Sequence, residues 1–142
     1  MLDLRLAAAH GLDASQALAL ATTAAADILR LPDRGHLAPG AHADLLIVAD
    51  RGGAPAQSLV GLPRSALRAV VRDGRPRISD PDFAPWFAAS GVDTVPVVLD
   101  GVPKLLAAEL ADPALLALEP GLDVQVAPPR SRLTQLSQEC PA

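Results

Sequence analysis

At 142 residues the chain is long enough for one domain with a modest core, but it is too short for a (β/α)8 barrel, which needs about 250 residues. The net charge of -4 and the pI of about 5.2 argue against a nucleic-acid partner, because no Lys/Arg cluster offsets the acids. Aromatic residues make up only 2%, so Leu, Val and Ala must form most of the interior. The excess of Ala, Pro and Arg is typical of a GC-rich bacterial genome.

The sequence carries no pattern for export or membrane insertion. Its one cysteine, Cys140, stands near the end of the chain and has no partner for an intramolecular disulfide. The start lacks the basic and apolar segments of a signal peptide, and no apolar run approaches the ~20 residues that cross a bilayer. We therefore expect a cytoplasmic protein.

The first predicted element is a helix at residues 13–30. Asp13 is the N-cap, and Gln16 stands three residues on, as in a capping box. Pro32 disfavours helical structure at the residue before it, so the helix should end near Arg30. Residues at helical spacing predict one apolar face, formed by Leu18, Ala21, Thr22, Ala25, Ile28 and Leu29.

Three strands are predicted next. Residues 44–48 form a short apolar run between turn residues, which is typical of a buried strand. A second strand covers residues 67–72. Asp73-Gly74 is a two-residue hairpin signal that returns the chain through residues 75–78. These segments should make a small antiparallel unit.

Beyond residue 79 the pattern changes to short, mixed elements. Asp80 as N-cap and Pro81 at the first helical position begin a predicted helix that runs to about Ala89. Pro96 lies inside the strand expected at residues 94–99 and favours an edge position, because it lacks a backbone N–H. The remaining expectations are a turn at Asp100-Gly101, helices at 103–110 and 113–118, a strand at 122–126, and a loose end over 128–142.

Three segments of the sequence occur together in a recognisable order. They are Ala-Leu-Ala-Leu-Ala-Thr-Thr-Ala-Ala-Ala at 17–26, Gly-His-Leu-Ala-Pro-Gly-Ala-His-Ala-Asp-Leu-Leu at 35–46, and Val-Val-Arg-Asp-Gly-Arg at 70–75. The first is similar to the A-L-x-x-A-T-x-x-A-A helix of the metal-dependent amidohydrolases, and the second is similar to their C-terminal signature. Roughly residues 5–79 therefore resemble the C-terminal segment of this family, with the cytosine-deaminase-like members as the nearest group.

The resemblance implies a hydrolase that acts on non-peptide C–N bonds of cyclic amides or amidines. Such enzymes use a divalent metal such as zinc or iron to lower the pKa of bound water toward 7. The family's chemical groups, a His-x-His pair, a bridging Lys or Glu, two more His and a barrel Asp, lie upstream of the resembling segment. We therefore expect a C-terminal fragment with no catalytic, cofactor-binding or metal-binding residues of its own, and no independent turnover.

Together these observations predict an α+β fold that is incomplete relative to a (β/α)8 amidohydrolase. Residues 1–32 would be a barrel-flanking helical segment, residues 33–79 part of a small β-sandwich, residues 80–127 a mixed helix and strand tail, and residues 128–142 a loose C-terminus. The family's remaining sandwich strands come from before the barrel. Unpaired strand edges then predict either self-association or pairing with a barrel-bearing chain. The alternative is a free-standing α+β interaction module that pairs with a separate barrel-bearing chain.

Two histidines give one candidate metal site. His36 and His42 flank a Pro-Gly turn. With Asp33 or Asp44 they would form a two-His, one-carboxylate site. The resemblance instead gives Asp44 a structural role, as an acceptor for backbone N–H groups near the turn. His10 is either a helix-entry residue or a functional group.

Nucleophilic catalysis and nucleotide binding have no support in the sequence. No serine lies in a Gly-x-Ser-x-Gly elbow, and Cys140 has no fixed base beside it. Gly52-Gly53 is a turn, because neither glycine-rich phosphate-binding pattern is present.

All aromatic residues of the chain stand close together. Phe83, Trp86 and Phe87 fall on one face of the helix predicted at residues 81–89. They either anchor a local core or contact a ligand.

Overall fold

The computed structural model describes residues 2–50 and 52–125. These residues form an α+β fold, as the sequence predicts, with an N-terminal helical segment and one six-stranded antiparallel sheet. No helix in these two ranges is long and apolar enough to cross a membrane. The helices are α1 (Leu2–Ala9), α2 (Ala14–Ala21), α3 (Thr23–Ile28), α4 (Pro55–Val60), α5 (Ala84–Ala89) and α6 (Pro113–Leu116), and the strands are β1 (Leu45–Val48), β2 (Leu67–Arg72), β3 (Arg75–Ser79), β4 (Thr94–Leu99), β5 (Val102–Ala107) and β6 (Leu122–Val124).

The helix predicted at residues 13–30 is two helices. α2 begins at the expected N-cap, where the Asp13 carboxylate accepts a hydrogen bond from the Ser15 backbone N–H at 2.9 Å. The chain then breaks at Thr22, whose hydroxyl donates to the Leu18 carbonyl at 2.7 Å. A side-chain bond of this kind competes with the helical ladder and bends the helix. The prediction of one continuous helix is therefore wrong, whereas its end near Arg30 is confirmed by the left-handed φ of 56° at that residue.

The apolar face expected on this segment is half-buried at Leu18, Thr22 and Ala25 and exposed at its other three residues. The buried residues of α2 and α3 are Ala17 and Ala26, whereas Ile28 and Leu29 lie largely in solvent. Alanine lets a neighbouring backbone approach closely, so close backbone packing determines which side faces inward. Two helices that were not predicted from the sequence, α1 and α4, both contact α2.

The sheet has the strand order β1-β2-β3-β5-β4-β6, and all its neighbouring strands are antiparallel. The strands predicted at residues 44–48 and 67–72 are present as β1, which begins one residue later, and β2. Asp73 and Gly74 have φ values of 50° and 75°, as a two-residue type I′ hairpin requires. β1 was expected to be buried, but it is an edge strand of the described sheet, and its Leu46 side chain is half exposed.

Two predictions for the following segment are wrong. Most of residues 103–110 is not a helix but part of β5, because the Asp100-Gly101 turn pairs β5 directly with β4, and only Ala108–Leu110 form a short 3₁₀ turn. Proline suits a first helical turn but also occurs in strands, so Pro103 alone does not decide between them. The other error is the edge position of β4, which lies between β5 and β6. Pro96 is tolerated there because it lies at the end of the β4–β6 pairing. Its carbonyl accepts a hydrogen bond from the Gln125 backbone N–H at 2.9 Å, and Gln125 directly follows β6. The backbone N–H that proline lacks would therefore face β6 at the point where the hydrogen bonds between the two strands stop.

The remaining elements follow the sequence more closely. α6 and β6 occupy the places expected for the last helix and strand. The region predicted as a loose C-terminus, residues 128–142 with Cys140, lies outside the described residues. The predicted aromatic helix is a 3₁₀ turn at Pro81–Phe83 followed by α5. Phe87 is only 1% exposed, which supports the core-anchor interpretation, and the rings of Phe83 and Trp86 lie 6.3 Å apart.

A narrow seam between β3 and β5 joins the two halves of the sheet. Only Ile78 and Ser79 of β3 pair with β5. At this seam Lys104, 3% exposed, donates to the Leu67 carbonyl at 2.7 Å and forms an ion pair with Asp80. Asp80 is therefore not a side-chain N-cap, since its carboxylate meets a buried ammonium instead. A buried charge is stable only with such partners, so Lys104 ties β5 to the end of β3 and the start of β2.

Candidate functional site

Residues 33–46 form a joint between the α2–α3 helices and the β2–β3 turn. At the start of the joint, Gly35 has a φ of 79° and lies against the break between the helices. A Cβ atom at Gly35 would lie 2.6 Å from the Thr22 carbonyl oxygen and 2.9 Å from the Ala26 Cβ. Non-bonded heavy atoms pack at about 3.5–4.0 Å, so only glycine fits here. The helix motif at residues 17–26 and the loop motif at residues 35–46 therefore contact each other at Gly35.

Asp44 holds the other end of the joint. One of its carboxylate oxygens accepts a hydrogen bond from the Asp73 backbone N–H at 2.9 Å, and the other forms an ion pair with Arg34. Asp44 is expected from the sequence to accept hydrogen bonds from backbone N–H groups, and the structure shows such a bond. The donor, however, belongs to the β2–β3 turn and not to the Pro-Gly turn beside Asp44 in the sequence. Asp44 thus links the loop to a hairpin about thirty residues away.

His42 connects the same hairpin turn to the beginning of the joint. Its Nδ1 lies 2.7 Å from a carboxylate oxygen of Asp73, and its Nε2 lies 3.0 Å from a carboxylate oxygen of Asp33. The hydrogen bond from His42 holds the pKa of Asp73 below its usual value, and the nearby charges of Arg34 and Arg72 act in the same direction.

The two-His, one-carboxylate metal site drawn from the sequence is not assembled. His36 has a different partner from those of His42. Its Nδ1 lies 3.0 Å from the Arg34 carbonyl oxygen. His10 is exposed just after α1. Within residues 2–50 and 52–125 there is no group of three or more His, Cys, Asp or Glu side chains that could hold a metal ion. The donor set of the described chain therefore does not fit a catalytic divalent metal.

An open hollow of about 300 Å³ lies beside the joint. Its polar side chains are Asp33, which faces His42, and His36, which faces a backbone carbonyl. Both side chains already have partners within the joint, so neither is free to act as a catalytic acid or base. The hollow is therefore suited to packing and not to catalysis. The lining residues are Pro32, Asp33, His36, Pro39, Gly40 and Ala41.

The joint coincides with a region that is shared with known proteins. Residues 5–78, just over half of the chain, match the profile of the amidohydrolase family. The chain belongs to the amidohydrolase family. The family resemblance of the sequence motifs is thereby confirmed, and the motifs at 17–26, 35–46 and 70–75 all fall inside the matched range.

Curated relatives of this amidohydrolase chain include three adenine deaminases. Those of Nitratidesulfovibrio vulgaris strains DP4 and Hildenborough are each 40% identical over 81 residues, and that of Methanoregula boonei is 41% identical over 81 residues. The alignments cover 57% of this chain but only 13% to 14% of each relative. No solved structure matches the chain. The chain thus spans about one seventh of the length of these relatives.

The strands beyond residue 78 of this amidohydrolase chain are bonded into the matched part. Arg64 donates through Nε and Nη2 to the two carboxylate oxygens of Asp100, both at 2.8 Å, and also pairs with Glu119. The hydrogen bond from Arg64 lowers the pKa of Asp100. Together with the Lys104 ion pair to Asp80, these contacts hold the unmatched strands across the seam.

Three residues that hold the molecule together were not predicted to do so from the sequence. Arg34 and Asp73 complete the joint around Asp44, and Lys104 fills the seam. For Arg34, the one local signal in the sequence was its position directly before Gly35 of the loop motif. Lys104 is the only lysine in the chain, but its burial depends on pairings with residues 24 and 37 positions away.

Proposed function

We propose that this chain supplies a structural segment of an amidohydrolase that cleaves non-peptide C–N bonds in cyclic amides or amidines. The family match at residues 5–78 and the three adenine deaminase relatives support this assignment. Deamination of adenine is attack of water on an amidine carbon, C6, with release of ammonia. We take an aminated purine or a similar ring amidine as the substrate class.

The observation that carries the proposal is the joint itself. Gly35 fits the break at Thr22, while Asp44 and His42 bind the β2–β3 turn, so the matched helices and the matched hairpin are held in one fixed arrangement. Such an arrangement positions elements and does not make or break bonds. In this proposal the chain's own residues orient a neighbouring barrel and support its walls.

The divalent metal that the family implies does not fit the residues at hand, because the described chain has no suitable group of donors. We therefore assign the metal and the proton transfers to a barrel-bearing polypeptide, and we expect no turnover by this chain alone. The proposal includes a cytoplasmic location, in keeping with a single cysteine that has no intramolecular partner.

A second candidate is a free-standing interaction module that binds a separate barrel-bearing chain without being needed for its turnover. The observation in its favour is the continuous sheet, in which β5, β4 and β6 extend the matched strands β1–β3 through the seam at Lys104. A segment that forms a six-stranded sheet of its own and buries Phe87 and Val97 has the features expected of an independent domain.

A chimeric enzyme tests the proposal. The segment of the Nitratidesulfovibrio vulgaris adenine deaminase that aligns with this chain, 81 residues long, would be replaced by the matching residues of this chain. We expect the chimera to release ammonia from adenine and the isolated chain to release none, with or without added zinc or iron. A deletion of the same segment serves as the control and should be inactive.

Two results would contradict the proposal. One is ammonia release by the isolated chain, which would place a catalytic centre in it. The other is an inactive chimera that nevertheless folds and keeps its metal, which would show that the segment does not supply the family's structural role. Full activity of the deletion control would favour the free-standing module.

A further inference from the structure

An open hollow of about 550 Å³ lies between α6 and the strands β4 and β6, in the second half of the sheet. Its lining is apolar except for Asp123, and it includes Val95, Leu116, Leu122 and Val124. Val124 is 41% exposed, and the other three apolar side chains are only half-buried. Apolar side chains gain free energy when they leave water, so an apolar occupant would be stabilising here. We call this cavity the α6 hollow.

β6, the last strand of the described chain, ends at the α6 hollow. It lies antiparallel to β4, with Val124 opposite Val97. Because the two strands are antiparallel, the same register continued by two residues would place Val126 opposite Val95. Opposed residues of neighbouring strands share a face of the sheet, and Val95 lines the hollow. The residues that follow Gln125 therefore begin at the rim of the hollow.

Residues 126–142, which we call the C-terminal segment, carry large apolar side chains of the kind that the hollow can take. Leu133 and Leu136 stand three residues apart, a spacing that places two side chains on one side of a helical turn. An extended chain spans about 3.5 Å per residue, so Leu133 can lie up to about 28 Å from Gln125. Because the segment begins at the rim, both leucines can reach the hollow.

The charges of the C-terminal segment are complementary to those of the stretch that carries α6 and β6. Residues 108–125 contain four acids and no Lys or Arg, and Asp123 has no ion-pair partner among the described residues. The segment supplies Arg130 and Arg132 ahead of its only acidic side chain, Glu139. A guanidinium beside a carboxylate at the rim of an apolar contact favours one orientation of the segment over others.

We infer that the C-terminal segment folds back over the α6 hollow, with Leu133 and Leu136 against its apolar lining and an arginine facing Asp123. The inference does not depend on the proposed function, because the hollow and the segment both lie beyond the matched residues 5–78. A short tether gives an effective concentration in the millimolar range, so a small apolar contact is enough. A second copy of the chain has no such advantage at micromolar concentrations. The contact would also shield β6, an edge strand of the described sheet, from pairing with another chain.

Disulfide trapping in the full chain tests the inference. The parent variant carries Ala117→Cys, at a position that lines the hollow, and Ser137→Cys, at the position next to Leu136. Cys140→Ala removes the native thiol. A disulfide forms when the two Cα atoms come within about 7 Å, so its rate of formation reports how often the segment lies on the hollow. We expect mild oxidation to give an intramolecular disulfide, seen as a monomer of altered mobility on a non-reducing gel.

Two further variants of this parent separate docking from chance encounters of a tethered thiol. Leu133→Ser/Leu136→Ser removes the apolar anchors and should slow disulfide formation by at least about tenfold, because docking raises the effective concentration of the thiol. Gln135→Ser/Gln138→Ser is the matched control. It changes polar side chains at the same spacing in the same segment, so the rate should stay within about twofold of that of the parent.

A second measurement uses the chain without added cysteines. Leu133→Ser/Leu136→Ser should raise the binding of a dye that fluoresces on apolar surfaces by at least about twofold, because the α6 hollow becomes exposed. The glutamine control should not change it. If the segment were loose, removal of two exposed leucines would lower dye binding or leave it unchanged. This measurement decides the question if circular dichroism shows that the cysteine parent is not folded.

Three results would overturn the inference. Equal trapping rates in the parent, the leucine variant and the glutamine variant would mean that the segment does not dock, in agreement with the loose end expected from the sequence. Dye binding that does not rise in the leucine variant would mean the same. A covalent dimer in place of the intramolecular disulfide would assign the hollow to a second copy of the chain. None of these results bears on the proposed function, which the chimera tests separately.

Discussion

Gly35 and Thr22 meet at a backbone contact that leaves no space for a side chain. Gly35 belongs to the loop motif, and Thr22 is the residue at which the helical motif breaks into α2 and α3. The break and the glycine therefore depend on each other, because a continuous helix would present a different surface and any larger residue would push the loop away. This pairing gives a physical reason for the two amidohydrolase motifs to occur together.

The first prediction concerns this contact. Gly35→Ala should lower the free energy of unfolding more than Gly40→Ala does, by about 1–3 kcal/mol, which is the usual cost of forcing extra atoms into a packed site. The two glycines share a positive φ, 79° and 89°, but a Cβ at Gly40 would meet no atom within 4 Å. Urea unfolding of both variants separates the steric clash from the backbone strain. Equal losses would show that the contact with Thr22 is unimportant.

The second prediction concerns Asp44. Asp44→Ala removes the acceptor of the Asp73 N–H and the partner of Arg34, and we expect a loss of about 1 kcal/mol, because the carboxylate is 37% exposed and water can partly replace it. The melting temperature should fall by about 4 °C. Asp44→Asn keeps an acceptor and should lose less. In the chimeric deaminase, a fall in activity without a fall in stability would instead place Asp44 in the chemistry.

Local signals predicted the elements that depend on neighbouring residues. The Asp73-Gly74 turn and its two strands were recognised because the turn needs two residues of positive φ that stand side by side. The acceptor role of Asp44 was also recognised, although its donor was not. In contrast, the sequence does not show that Gly35 is irreplaceable, because the atoms that exclude a side chain belong to residues 22 and 26.

The errors have a common physical cause. β5 was read as a helix because Pro103 suits a first helical turn, whereas its pairing with β4 and β3 is a tertiary effect that outweighs local preference. The apolar face of the helical segment was assigned by periodicity, but close backbone packing turned the alanines inward. Long-range contacts thus determine both the second half of the sheet and the surface that the chain exposes.

The third prediction concerns the seam. Asp80→Asn should destabilise the chain by about 3 kcal/mol, because it leaves the Lys104 ammonium buried without its carboxylate. Asp82→Asn is the control, since Asp82 pairs with Arg68 at an exposed position and should change stability by less than about 0.5 kcal/mol. Thermal unfolding measures both. If the two variants were equally stable, the buried ion pair would not be what holds β5 to the matched strands.

The last prediction concerns acid. The pKa of Asp73 is lowered by its hydrogen bond from His42, and the pKa of Asp100 is lowered by its hydrogen bond from Arg64. A carboxyl group with a lower pKa in the folded chain stabilises the fold at pH values above its ordinary pKa of 3.8, and this stabilisation is lost as the pH falls through the folded-state value. We therefore expect the urea midpoint of the wild-type chain to fall progressively below about pH 5.

The double variant Asp73→Asn/Asp100→Asn should be less stable than the wild type at pH 7 and should lose less stability on acidification, because neither amide can take up a proton in this range. Each single variant should lie between the two. Urea titrations at pH 7, 5, 4 and 3 give the comparison. A double variant whose midpoint falls as steeply as that of the wild type would show that the acid sensitivity arises from other carboxylates and not from the His42 and Arg64 contacts.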